Sequence, residues 1–178
     1  MQRKKGLAVL GAQTTTTLAL DQSTKITGYA IFSEEGKLIK HGIYVPTGDY
    51  LERITKLRKW MIEVIEEYNC EIRVSIEDIQ LQKIPNTSAY QNVLTFKKLA
   101  QTQGALLTVL TELKLDYLVI PSVVWKSKLG IKGARSKEQK KAAQSFVKKN
   151  YGIDASEDEA DAICIGTYTL DQYVNNWE

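Results

Sequence analysis

The sequence predicts a single α/β domain in which helices flank a five-stranded mixed sheet, with three antiparallel strands followed by two parallel strands. Two observations lead to this prediction. Short β-rich runs joined by turns open the chain, and buried-strand patterns then alternate with long helical patterns. The chain has 178 residues, of which 43% are hydrophobic and 25% charged, and this composition is typical of one globular domain.

The three antiparallel strands are predicted at the start of the chain. A short apolar run at 18–21 ends in Asp21, and a turn-prone segment separates it from the β-rich run at 27–32. A hairpin turn then leads into a third strand at 38–45. Strands that are joined by tight turns pair antiparallel, so this part of the sheet is predicted to be a meander.

The remaining elements alternate between helix and strand, and a helix between two buried strands implies a parallel crossover. Apolar residues at helical spacing follow Asp49, and two near-continuous apolar runs indicate buried strands. Ser136 is the predicted cap of a helix that ends just before Gly152. In chain order we predict a helix over 51–68, a strand at 72–79, a helix over 86–113, a strand at 116–120, and helices over 122–129, 136–150 and 156–174.

Residues 1–17 are predicted to form a basic N-terminal arm, and residues 18–178 the single domain. No apolar run is long enough to cross a membrane, and the two cysteines lie in apolar or helical contexts that favour reduced thiols in the cytoplasm. Two cysteines and one histidine cannot form a four-ligand Cys/His zinc site. No Walker-type phosphate loop is present, so no nucleotide cofactor is expected. His41 is expected at the surface.

The net charge of +3 is the sum of two opposed segments. Nine basic residues and one acid lie between Lys126 and Lys149, whereas residues from Tyr151 to Glu178 include seven acids and no Lys or Arg. The basic run alone fits a solvated helix face, but next to carboxylates it also fits a phosphate-binding track. The candidate DNA-binding residues are Lys126, Lys128, Lys132, Arg135, Lys137, Lys140 and Lys141.

Four acids are candidate ligands for a metal. Glu77 lies in a strand predicted to be buried, where a lone carboxylate is costly unless it is paired or metal-bound. Asp158 and Asp161 share one helix face, and Asp161 is expected to point toward the sheet. If the first and fourth strands are neighbours, Asp21 and Glu77 come together, and the last helix can bring the other two acids to the same place.

Other interpretations of these acids stay open, because acids are favoured in the first turn of a helix and Asp21 is compatible with a polar turn. The acidic helix contains no Lys or Arg, so a divalent cation is the expected partner of the carboxylates. Oxygen ligands suit Mg²⁺ or Mn²⁺, and two such ions would activate water and stabilise the leaving oxygen of a phosphodiester.

Three blocks of sequence resemble the RuvC family of Holliday junction resolvases, especially its bacteriophage-borne members, within the RNase H-like fold. They occur in the family's order and are LALDQSTKITGYA at 18–30, SIED at 75–78 and DEADA at 158–162. The chain has Gln22-Ser23 where cellular members have Pro-Gly, and Gln80 where they have an aromatic residue that helps to open the junction. By position, the resemblance implies that the catalytic and metal-binding acids are Asp21, Glu77, Asp158 and Asp161, and that Lys126 and Lys137 are functionally important, with Lys137 counted as catalytic.

The resemblance also implies a homodimer that cuts two opposed strands of a four-way junction and leaves 5′-phosphate and 3′-hydroxyl ends. The expected cofactor is Mg²⁺, with two ions per active site and Mn²⁺ as a substitute. The expected location is the cytoplasm, which for a phage-encoded protein is that of the bacterial host.

Several features are left open by the sequence. A nuclease for RNA–DNA hybrids or flaps and a catalytically silent protein that binds branched DNA both remain alternatives. The leucines of the helix over 86–113 are candidates for the dimer interface, namely Leu94, Leu99, Leu106, Leu107 and Leu110. The aromatic residues that are candidates for contact with exposed bases are Tyr90, Phe96 and Trp125.

Overall fold

The computed structural model describes residues 15–68, 71–81 and 87–175, and the side chains up to 173. The strands are β1 (Thr15–Asp21), β2 (Thr27–Phe32), β3 (Leu38–Tyr44), β4 (Glu71–Asp78) and β5 (Asp116–Pro121). The helices are α1 (Tyr50–Glu67), α2 (Ala89–Glu112), α3 (Ser122–Lys128), α4 (Ser136–Tyr151) and α5 (Glu157–Asn175). None of the helices in these ranges is long and apolar enough to cross a membrane.

The five strands form one mixed sheet in the order β3-β2-β1-β4-β5. β2 pairs antiparallel with β1 and β3, whereas β4 pairs parallel with β1 and β5. The predicted sheet of three antiparallel strands followed by two parallel strands is therefore confirmed. Because β1 and β4 are parallel neighbours, their carboxyl ends lie side by side at one end of the sheet.

Helices cover both faces of the sheet, and each face has its own apolar core. On one face, α1 and α2 pack Met61 and Leu110 against strand residues such as Leu18. On the other face, α5 packs Ile163 and Ile165 together with Trp125 of α3 and residues of α4. Burial of apolar side chains from both sheet faces is the main stabilising contribution to this arrangement.

The strand β1 begins at Thr15, three residues earlier than predicted. Thr15, Thr16 and Thr17 are buried and lie opposite 71–73 of β4 in the parallel ladder, because this pairing satisfies their backbone hydrogen bonds. The last three residues of the predicted N-terminal arm thus belong to the sheet. Residues 1–14 of that arm lie outside the described residues, as do 82–86, where the predicted start of α2 falls.

The predicted cap of α4 is wrong by one residue. Arg135, not Ser136, is the N-cap, because its backbone is extended (φ −125°, ψ 150°) while Ser136 already forms part of the helix. The Glu138 carboxylate accepts a hydrogen bond from the Ala134 backbone N–H at 2.9 Å and so satisfies a donor near the helix start. Gly152 ends the helix as predicted, in the left-handed conformation (φ 73°) that glycine adopts most readily.

The expectation that the leucines of α2 form a dimer interface is wrong for two of them. Leu106 and Leu110 are fully buried in the core beneath α1. The exposed apolar side chains of α2 lie in its amino-terminal half, where Tyr90 is 71%, Val93 51% and Leu94 39% exposed. The helix therefore uses its carboxyl-terminal half for the core and presents apolar surface at its other end.

Candidate active site

Asp21 and Glu77 lie beside each other at the carboxyl ends of two neighbouring strands. The β1–β4 register pairs Leu20 with Ile76, so the next residue of each strand is one of the two acids. Both side chains are partly buried. The expectation that the first and fourth strands bring these acids together is confirmed, and the cause is the parallel register rather than any contact nearby in sequence.

The start of α5 lies directly against the sheet beside Asp21. Gly28 is the partner of Asp21 in the β1–β2 register, and a Cβ at Gly28 would lie 1.9 Å from the backbone oxygen of Asp158. About two turns further along α5, a Cβ at Gly166 would lie 2.2 Å from Cε2 of Phe32. Glycine is thus required on both sides of this packing, and the close approach brings the first turn of α5 to the carboxyl end of β1.

Asp161 points inward, as the sequence analysis predicts. Its side chain is 8% exposed, and its Oδ1 has no hydrogen-bond partner among the described residues. Asp158, one turn earlier, is partly buried. The acids of β1, β4 and α5 therefore converge at one end of the sheet, although they are far apart in sequence.

Burial and mutual repulsion disfavour the charged forms of these acids. Burial raises the pKa of Asp161 to about 7, and the charge of Glu77 acts in the same direction. The pKa of Asp21 is raised well above its usual value, first by burial and then by the charges of Glu77, Asp161 and Asp158. Burial also raises the pKa of Glu77. Such a group of carboxylates needs positive charge to remain ionised at neutral pH.

Two lysines from other elements supply part of this positive charge. The charge of Lys126, at the end of α3, lowers the pKa of both Glu77 and Asp161. Lys140 of α4 acts on the same two acids and also lowers the pKa of Asp21. The helix α5 itself contains no Lys or Arg, as the sequence shows. The fold nevertheless brings the charges of two lysines to bear on the acids, so positive charge does not have to come from a metal alone.

Glu77 is held in place by three neighbouring side chains. The indole Nε1–H of Trp125 donates to Glu77 Oε1 at 3.1 Å. Gln22 and Gln103 donate through Nε2 to the backbone oxygen of Glu77 at 2.7 and 2.9 Å. Trp125 is fully buried, so the expectation that it contacts exposed bases is wrong: its ring packs in the core and its N–H orients a carboxylate.

His41, which was expected at the surface, is partly buried and contacts the first turn of α5. Its Nδ1 lies 2.5 Å from Oε1 of Glu159, and both side chains are partly buried. The other oxygen of Glu159 accepts a hydrogen bond from the Ser156 backbone N–H at 3.0 Å. His41 and Glu159 are 118 positions apart, so no local pattern in the sequence indicates this contact.

The predicted DNA-binding residues fall into two groups. The charges of Lys126 and Lys140 lower the pKa of buried acids, and both side chains are partly buried. The other members are exposed, namely Lys128, Lys132, Arg135, Lys137 and Lys141. Lys128 forms a surface ion pair with Asp171 at 3.3 Å. Lys137, the lysine predicted to be catalytic, lies in the first turn of α4 and is exposed.

The two other candidate aromatic residues lie on α2. Tyr90 is largely exposed. Phe96 is partly buried and lines a cavity of about 140 Å³ together with Glu77 and Gln80. An aromatic surface is therefore available close to the carboxylates, although Gln80 itself is not aromatic.

The carboxylates fit a divalent cation by their chemistry. They offer only oxygen donors, which suit Mg²⁺ and Mn²⁺, and the unpartnered Oδ1 of Asp161 is a buried acceptor that requires a donor or a cation. Within residues 15–68, 71–81 and 87–175, no three His, Cys, Asp or Glu side chains already form a closed ligand set. The carboxylate oxygens and their common location thus suit the predicted Mg²⁺ or Mn²⁺. Among the described residues, however, these oxygens are not already arranged around one point as metal ligands would be.

Comparisons with known proteins agree with this description. Two proteins named crossover junction endodeoxyribonuclease RuvC, from Citrifermentans bemidjiense and a Geobacter species, are each 26% identical to the chain over 155 residues, which span 83% of this chain and 87% of the relative. The structure of Thermus thermophilus RuvC matches with a TM-score of 0.66 at 20% identity, over 90% of this chain and 96% of the other. The yeast mitochondrial Holliday junction resolvase Ydc2 matches with a TM-score of 0.53 at 17% identity, over 90% of this chain and 82% of the other.

These similarities confirm the resemblance to RuvC and the predicted fold. A family model described as Lactococcus phage M3 protein matches residues 14–175, which is nearly the whole chain. The chain therefore belongs to the family of the Lactococcus phage M3 protein, and its fold is that of RuvC.

Proposed function

We propose that the protein is a metal-dependent, structure-selective DNA endonuclease that resolves four-way (Holliday) junctions, and other branched DNA, by paired nicks. The observation that carries this proposal is the convergence of four carboxylates from β1, β4 and α5 at one end of the sheet. The similarity to proteins named RuvC supports it, and one matched structure is T. thermophilus RuvC in complex with a Holliday junction substrate. Hydrolysis would leave 5′-phosphate and 3′-hydroxyl ends.

In this proposal Asp21, Glu77, Asp158 and Asp161 hold two Mg²⁺ ions, for which Mn²⁺ substitutes. Such ions supply an activated water and stabilise the charge that develops on the leaving oxygen. The protein's own contribution is to keep the ligands in position. Trp125 fixes one oxygen of Glu77, and the close packing of α5 on Gly28 fixes the first turn that carries Asp158.

The exposed basic residues form the proposed DNA-binding track. These are Lys128, Lys132, Arg135, Lys137 and Lys141, in α3, α4 and the segment between them. Each phosphate that a lysine or arginine neutralises releases counterions, which favours binding at low salt. We assign Lys137 to the phosphate nearest the scissile bond, because it lies about one helical turn from Lys140, whose charge lowers the pKa of the buried acids.

The protein is proposed to act as a homodimer, because two active sites related by a two-fold axis would account for paired nicks. The exposed apolar end of α2, formed by Tyr90, Val93 and Leu94, is the surface that we assign to this contact. For a phage protein, the site of action would be the cytoplasm of the bacterial host.

The proposal is tested by cleavage of a synthetic four-way junction with Asp161→Asn. We expect the variant to bind the junction with unchanged affinity in Ca²⁺ and to cut it at least about 100-fold more slowly in Mg²⁺, since one metal ligand loses its charge. Cleavage by Asp161→Asn at the wild-type rate would contradict the proposal.

The same assay separates the alternative functions. Faster turnover of an RNA–DNA hybrid or a flap than of the junction would identify a nuclease of a different specificity. Junction binding without nicks from the wild-type protein, at every Mg²⁺ and Mn²⁺ concentration, would identify a silent DNA-binding protein.

A further inference from the structure

One side of α4 is joined to the segment that leads into α5 by three polar contacts. The donors are Lys140, Gln144 and Lys148, which are spaced four residues apart and so lie along one side of the helix. Lys140 Nζ donates to Glu157 Oε2 at 2.7 Å, Gln144 Nε2 to the Ala155 backbone oxygen at 2.9 Å, and Lys148 Nζ to the Asp154 carboxylate. Together the contacts fix residues 154–157, immediately before Asp158.

Lys140 differs from Lys148 in its surroundings. Its side chain is 35% exposed, against 54% for Lys148. The hydrogen bond to Glu157 raises the pKa of Lys140, and the charges of Asp158 and Asp161 raise it further. The ammonium group of Lys140 therefore contacts Glu157 at the start of α5 and interacts electrostatically with Asp158 and Asp161.

The neighbouring lysines of α4 have a different environment. Lys137 and Lys141 are exposed, and neither forms an ion pair within the described part of the chain. A DNA phosphate can pair with these two groups without breaking an existing contact. For Lys140 the same phosphate would have to displace Glu157.

We propose that Lys140 is a positioning residue of the active site rather than a DNA-binding residue: through Glu157 it fixes the first turn of α5 and so places Asp158 and Asp161. The catalytic part of this inference rests on the proposed nuclease function, but the structural part does not. Lys137 and Lys141 keep their place in the DNA-binding track.

The structural part is tested by hydrogen exchange in the absence of metal and DNA. In Lys140→Ala and in Glu157→Gln, we expect amide exchange in the peptide covering 154–162 to accelerate up to about fivefold, because the ion pair no longer restrains the turn. Lys140→Arg should retain wild-type exchange, and Lys141→Ala, the matched control, should leave this peptide unchanged. Wild-type exchange in both Lys140→Ala and Glu157→Gln would overturn the inference.

The functional part is tested with the same variants on a four-way junction. Lys140→Ala is expected to lower kcat by up to about 100-fold, because catalytic groups are displaced, while the slope of log affinity against log salt stays at the wild-type value. Lys141→Ala is expected to reduce that slope by about one unit and to raise KM. A reduced slope for Lys140→Ala with unchanged kcat would overturn the positioning role. Absence of cleavage by the wild-type protein would instead contradict the proposed function, and the exchange result would still decide the structural part.

Discussion

At the scale of single residues, the acids of the proposed active site combine burial with like charge. Asp21, Glu77 and Asp161 each have a raised pKa because burial and neighbouring carboxylates oppose ionisation. Lys126 and Lys140 offset only part of that repulsion. Repulsion between the carboxylates therefore destabilises the protein at this end of the sheet when no cation is bound. Such an arrangement is common at sites that bind a cation.

The first prediction concerns the stability of the metal-free protein. Asp161→Asn removes one charge from the cluster with little change in shape, so we expect the free energy of unfolding to rise by about 0.5–2 kcal/mol. Thermal or denaturant unfolding in EDTA measures this. Mg²⁺ should raise the Tm of the wild type more than that of the variant, and Asp171→Asn, at a surface ion pair with Lys128, is the control for loss of a charge elsewhere. A lower stability of Asp161→Asn in EDTA would contradict the repulsion argument.

The second prediction concerns the indole of Trp125. Trp125→Phe keeps an aromatic ring in the core but removes the N–H that donates to Glu77, a hydrogen bond to a charged group worth about 1.5–3 kcal/mol. We expect slower junction cleavage with unchanged DNA affinity, because Glu77 loses its orientation. Cleavage rates and binding isotherms measure the two effects separately. Weaker DNA binding with a normal cleavage rate would show instead that the indole serves the DNA interface.

At the scale of elements, the position of α5 depends on how closely it approaches β2. The Cβ position at Gly28 lies 1.9 Å from the Asp158 backbone oxygen, so any other residue must push the first turn of α5 away. His41 of β3 and Lys140 of α4 contact the same turn through Glu159 and Glu157. The start of α5 is thus held by its close packing on β2 and by side-chain contacts from β3 and α4.

The third prediction concerns this close approach. Gly28→Ala is expected to destabilise the fold by about 1–3 kcal/mol through overpacking and to abolish efficient cleavage, because Asp158 is displaced. Gly104→Ala in α2 is the matched control. Its Cβ would meet no atom of the described residues within 4 Å, so alanine should stabilise the helix by up to about 1 kcal/mol. Urea unfolding and cleavage of a junction measure both variants, and wild-type behaviour of Gly28→Ala would contradict the packing described.

At the scale of the whole molecule, the proposed functional surfaces lie on different parts of one domain. The carboxylates occupy the end of the sheet where β1 and β4 finish, the exposed cations lie on α4 and the segment before it, and apolar surface lies at the start of α2. A DNA strand that follows the cations would reach the acids at the start of α5. The cavity beside Glu77 is lined by a different side of α2, which carries Asn92, Thr95, Phe96 and Leu99.

The fourth prediction concerns this assembly. Val93 is 51% exposed and lies between Tyr90 and Leu94 on α2, so Val93→Asp would place a charge within the proposed dimer contact without entering the core. We expect the variant to sediment as a monomer and to make single rather than paired nicks. Thr108→Asp, further along the exposed side of the same helix, is the control. A dimer that persists in Val93→Asp would exclude this end of α2 as the interface.

Much of the fold was predictable because its signals are local. The β-rich runs, the helical spacing after Asp49 and the buried strand containing Glu77 each depend on nearby residues. The errors also have local causes: Ser136 is a common cap residue, but Arg135 has the extended backbone, and three threonines before Leu18 carry no apolar signal although they pair with β4.

The sequence by itself determined the order of the elements, the mixed sheet and the four candidate acids, because periodicity and the cost of a buried carboxylate can be read from short segments. Only the tertiary structure decided which residues surround those acids. Trp125 was a candidate for contact with bases, but its indole N–H donates a hydrogen bond to Glu77. Lys140 was a candidate for contact with DNA, but its charge interacts with the carboxylates of α5. The physical reason is that burial and charge interactions depend on distance in space, and the residues concerned lie on separate elements that meet only when the helices pack on the sheet.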